Sequence, residues 1–144
     1  MAGAGGVLAI IRMLPRAELE QLVDAALALN MFVLLEAFDA PDIELAHALV
    51  DARRGHRSLL MVGVNSRDLA TLEVVPGRLD ALASSLPADV KRVAESGVAT
   101  AGDAARMAAC GYDLALVGSA LDAVQLHLVS LLLEGFGASL PTGR

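Results

Sequence analysis

Cysteine occurs once in this 144-residue chain, at Cys110. No internal disulfide and no CxxC metal or redox site can therefore form. Basic residues are outnumbered, with 11 Lys and Arg against 17 Asp and Glu, for a net charge of −6. That balance argues against a nucleic-acid or membrane-surface partner. Long apolar runs are missing too. The stretch after Gly6 stops at Arg12, and Leu131-Leu132-Leu133 is flanked by Ser130 and Glu134. Neither is long enough to span a bilayer. The opening Met1–Gly6 lacks the basic flank of a signal peptide. A soluble cytoplasmic protein is expected. Of the three histidines, His47, His56 and His127, no two share metal-ligand spacing, so no metal is expected; no cofactor is expected either. Aromatic residues make up only 3%, which leaves the core to Ala, Leu and Val.

What is present alternates between strand and helix. The length suits one domain with a real core. Val7–Ile11 is a continuous apolar run of the parallel-strand type. Pro15 suits a first helical turn, Leu19, Leu22, Val23, Ala26 and Leu27 recur at helical spacing, and Asn30 suits the stop. Phe32–Leu35 reads as the second strand, and residues 41–54 as the second helix, with Gly55 as its stop. The run 59–62 is the third strand and 76–86 a shorter helix. Val90–Ala94 is the fourth strand. Thr100, with Asp103 three residues on, reads as a capping-box start for a helix that Gly111 ends. Residues 114–117 form the fifth strand, and Ser119 opens a last helix. The Arg53–Arg57 cluster reads as a solvated loop. The domain is expected to cover 1–136, with 137–144 a frayed tail.

Five βα units with short connections predict an α/β fold with a parallel sheet, either open and doubly wound or part of a barrel. Polar residues recur at the C-terminal ends of the strands: Glu36, Asn65, Arg67, Glu95, Ser96, Gly118 and Ser119. A (β/α)8 barrel builds its active site at these ends. Asn65 and Arg67 are two apart, so an extended backbone would place an amide and a guanidinium on one side. Asp68 could bond local N–H groups or orient that arginine. Ser96-Gly97 and Gly118-Ser119 are small, and the second runs into a helix N-terminus. They are candidates for holding a phosphate.

Three blocks carry a family resemblance. Val62-Gly63-Val64-Asn65-Ser66-Arg67-Asp68-Leu69-Ala70-Thr71-Leu72-Glu73-Val74, then Val93-Ala94-Glu95-Ser96-Gly97-Val98, then Leu116-Val117-Gly118-Ser119-Ala120-Leu121 resemble the stretches with the GxNxRDLxTxEV, ESGI and VGxxLM patterns of the indole-3-glycerol phosphate synthases. Leu34–Asp39 is similar to the family's strand-five segment. The resemblance implies a partial (β/α)8 TIM barrel of about five parallel βα units, corresponding to strands four to eight. It implies a lyase of tryptophan biosynthesis that closes the ring of a carboxyphenylamino-deoxyribulose phosphate, losing carbon dioxide and water. By motif, Glu36 would be a general base or stabilise the cationic intermediate, and Asn65 would orient the substrate. Arg67 would pair with an anionic group, and Glu95 would hold the ribulose hydroxyls. Ser96, Gly97, Gly118 and Ser119 would hold the phosphate.

The departures from the pattern matter as much. The family's strand-three lysine and its strand-one E-x-K-x-x-S-P-S segment have no counterpart here. Lys91, the only lysine, falls at the start of a strand, opposite the strand ends that carry the site. Phe38 and Asp122 stand where the family has histidine and methionine. This chain alone is expected to be weak or inactive, since each acid–base group is worth about 10²–10⁴-fold. Alternatives are a non-catalytic remnant that binds a sugar phosphate or a partner, and one half of a split enzyme. The expected partner is a phosphorylated small molecule. Open strand edges and an open apolar face further imply self-association, or a chain supplying missing strands.

Overall fold

The computed structural model describes residues 3–117. Its strands are β1 (Gly6–Ile10), β2 (Phe32–Ala37), β3 (Leu60–Asn65), β4 (Lys91–Glu95) and β5 (Leu114–Leu116). The helices are α1 (Arg16–Ala28), α2 (Ala40–Asp51), α3 (Arg78–Ala83) and α4 (Ala101–Ala109). All strand pairs are parallel, and the strands lie side by side in chain order.

The helices share one face of the sheet. Val33, Leu35 and Ala37 of β2, Leu60, Val62 and Val64 of β3, and Ala94 of β4 are buried in one cluster. They meet Leu19 and Val23 of α1, Ile43 and Leu49 of α2, Leu79 of α3 and Met107 of α4. Burying such a Val, Leu or Met side chain contributes about 1.5–3 kcal/mol before the entropy of ordering it is subtracted. A doubly wound sheet would reverse direction and carry helices on both faces. Sequential order with one helical layer is the barrel arrangement, so of the two architectures left open, the partial barrel is the one formed. Alternation along each strand sends the intervening residues to the opposite face. There Leu8, Phe32, Leu114 and Leu116 remain 44–50% exposed.

The helix ends follow their local chemistry. Asn30 adopts φ 56° after α1, and its N–H donates to Leu27 O. Asp39 caps α2 by accepting from the Asp42 N–H at 3.2 Å. Thr100 and Asp103 form the reciprocal capping box of α4, and Gly111 closes it at φ 98°.

Several boundaries differ from the expectations: β1 is Gly6–Ile10, with Ile11 opening a 3-10 turn, β2 runs on to Ala37, β4 is Lys91–Glu95, and β5 ends at Leu116. α2 stops at Asp51, and 54–59 form a 3-10 turn in place of a loop. Arg53 is not a solvated residue of that cluster. Its side chain is 10% exposed and donates to Asp24 at 2.6 Å. α3 is confined to Arg78–Ala83 because Gly77, at φ 76°, delays its start. β3 continues to Asn65 because Gly63 and Val64 keep pairing with β2 and β4.

Among the described residues no helix is long and apolar enough to cross a membrane. Gly118, Ser119, the last helix, Asp122, His127 and the 137–144 tail lie outside the described residues.

Candidate functional site

Parallel register brings three strand ends to one place. Glu36 pairs with Gly63, and Asn65 pairs with Glu95. Glu36, Asn65 and Glu95 have the parity of Leu8 and Phe32, so they stand on the face away from the helices. Both carboxyls are buried, Glu36 at 4% and Glu95 at 1% exposure. Asn65 Nδ2 donates to Glu36 Oε1 at 2.8 Å, and Asn65 Oδ1 accepts the Arg67 N–H at 2.8 Å. The amide is therefore fixed at both ends, and its donor end is committed to Glu36.

Burial, then the negative charge of Glu36, then a hydrogen bond with Glu36 push the Glu95 carboxyl up to about 8. At neutral pH Glu95 holds a proton beside a second carboxyl. Its Oε1 is buried without a hydrogen-bond partner in the protein. An unpartnered buried carboxyl oxygen is costly to leave, and here it belongs to the group poised to titrate. Strongly raised carboxyls of this kind mark candidate acid–base sites.

Arg67 is placed elsewhere than the two-residue spacing suggested. The strand ends at Asn65, and Ser66 N–H turns to Glu95 O at 2.9 Å. The Arg67 guanidinium donates to Leu72 O in its own loop. The expected amide–guanidinium pair is thus replaced by Asn65 on Glu36 and Arg67 on Leu72. Asp68 takes the first of its two anticipated roles. Its Oδ1 accepts from the N–H groups of Ala70 and Thr71 at 2.9 and 3.0 Å, which holds its carboxyl below the usual range.

Ser96 and Gly97 follow Glu95 directly, both with positive φ, 62° and 71°. A β-carbon on Gly97 would sit 2.9 Å from Ser66 Oγ, so the tight turn beside the carboxyls needs glycine. Two contributors were not singled out from the sequence. Arg78 Nη1 donates to the Asn65 carbonyl at 3.2 Å, from the start of α3. Gly63 provides the room for Glu95, for which a glycine inside an apolar strand was the available signal. Lys91 begins β4, four residues before Glu95, and lies 3.6 Å from Asp113 with its side chain 67% exposed. At about 3.3 Å per residue it stands roughly 13 Å from the carboxyls.

A parallel sheet with one helical layer and carboxyl, amide and small residues at the C-terminal strand ends places the chain in the βα-barrel class. A solved chain from the Amycolatopsis orientalis BexX/CysO complex has the same fold. It matches with a TM-score of 0.54 at 20% identity, covering 90% of this chain and 55% of that one.

Sequence narrows the class further. The indole-3-glycerol phosphate synthase family model matches residues 1–127. The synthase of Micrococcus luteus is 44% identical over 119 residues, covering 83% of this chain and 41% of that protein. The Leifsonia xyli synthase is 39% identical over 120 residues, covering 83% and 43%. The chain belongs to the indole-3-glycerol phosphate synthase family. It spans about two-fifths of the length of these relatives.

Proposed function

We propose that the chain carries the carboxylate side of a site for closing the indole ring on a carboxyphenylamino-deoxyribulose phosphate, with loss of carbon dioxide and water. The observation that supports this most is the joining of Glu36, Asn65 and Glu95 from three strands. Ring closure on a carbonyl needs proton transfers and builds positive charge on nitrogen. Glu36 serves as base or as counter-charge, oriented by Asn65. Glu95 engages the sugar hydroxyls and has a proton to give. Arg67 meets an anionic group of the substrate once it leaves Leu72. Ser96, Gly97, Gly118 and Ser119 hold the phosphate.

One observation favours a second reading, a non-catalytic sugar-phosphate-binding chain or one half of a split enzyme. The single lysine is on Asp113, at the end of β4 away from the carboxyls. Turnover of the carboxyphenylamino substrate, followed by indole fluorescence, separates the two. Product above background that disappears in Glu36→Gln supports the synthase reading. Substrate binding by calorimetry without turnover supports the second, and neither binding nor turnover overturns both.

A partner belongs to the same proposal. The exposed Leu8, Phe32, Leu114 and Leu116 face is the surface a second copy or a strand-supplying chain would cover.

A further inference from the structure

We propose that Gly63 is a positioning residue of the site: its missing side chain is the space in which the Glu95 carboxyl lies against Glu36. The inference rests on the reading of Glu36 and Glu95 as the working carboxyls. Gly63 is in the middle of β3, paired with Glu36 on one side and Val93 on the other. It has no positive φ, so its backbone suits any residue, and conformational freedom does not explain the glycine. Space does. A β-carbon built on Gly63 would fall well inside van der Waals contact of Glu95 Oε1, 2.9 Å from its Cδ and 3.2 Å from Leu34 Cδ1. Glu95 Oε1 is also the buried oxygen that has no partner. The carboxyl is therefore seated over bare backbone, with Glu36 beside it.

An added methyl group has one cheap way out. The Glu95 carboxyl is the far end of a side chain with three rotatable bonds. It would swing off β3 toward solvent, leaving Glu36 and regaining water. Gly63→Ala should then fold, and Glu95 should titrate as an ordinary carboxylate.

The test is a carboxyl-carbon NMR titration of the full chain labelled at glutamate, with Glu95→Gln used to assign the Glu95 signal. Wild type should show Glu95 titrating near 8. In Gly63→Ala it should fall by about 2 units or more, toward the usual range. Gly63→Ala/Glu95→Ala should be as stable as Glu95→Ala alone, because the methyl group then fills vacated space. An unchanged Glu95 titration in Gly63→Ala would overturn the proposal. If Gly63→Ala does not fold, the double variant decides: a folded double variant locates the clash at Glu95, and an unfolded one overturns the proposal. No substrate is involved, so a failure of the synthase reading and a failure of this one are separate results.

Discussion

Replacing Glu95 with glutamine removes this carboxyl's own titration while keeping its shape. The carboxyl ionises near 8 in the folded chain, against an ordinary value of 4.5. Between these values the folded protein holds a proton that the unfolded chain has released. Stability therefore falls as pH rises through this window and levels off above it. The slope is about 1.4 kcal/mol per pH unit, so Glu95 should reduce stability by on the order of 3 kcal/mol between pH 5 and pH 7. In Glu95→Gln the side chain stays neutral at every pH, and its amide can donate to Glu36, so the loss is absent. The assay is urea unfolding of both proteins at steps from pH 4.5 to 9, with the difference between them plotted. The difference should grow in favour of Glu95→Gln up to about pH 8 and then stay flat. Parallel stability profiles across that range would refute the buried, proton-holding Glu95 on which the site reading depends.

Two further outcomes follow from the structure. Arg12 donates twice to Asp42 at 2.7 and 2.9 Å, bridges to Asp39, and lies over the Phe38 ring at 4.9 Å from its centroid. Asp42 is buried and otherwise accepts from the Phe38 N–H. Arg12→Ala should cost about 1–3 kcal/mol in urea unfolding, reduced from the value for a fully buried pair because the arginine is partly exposed. The open face carries Leu8, Phe32, Leu114 and Leu116. Light scattering should therefore give a mass above that of one chain, and Phe32→Ser should lower it. A monodisperse monomer in wild type would refute the association.

The sequence by itself determined the elements and where the chemistry would gather. Apolar runs, proline and glycine punctuation and the Thr100–Asp103 cap act within a few residues, so their outcome can be read locally. So can the placing of Glu36, Asn65 and Glu95 at or near strand ends. The blocks around Asn65 and Glu95 were enough to point to the family.

Tertiary structure decided the rest, because it depends on register and on space. Both a doubly wound sheet and a barrel suit five βα units, and only the burial of one face against all four helices selects between them. Asn65 and Arg67 share a side only while the backbone stays extended. It turns at Ser66, which sends the guanidinium to Leu72 and leaves the amide to Glu36. Glu36 and Glu95 are 59 positions apart in the sequence. Their contact, and the proton it keeps on Glu95, exist because parallel pairing sets β2, β3 and β4 side by side and Gly63 has no side chain to hold them apart.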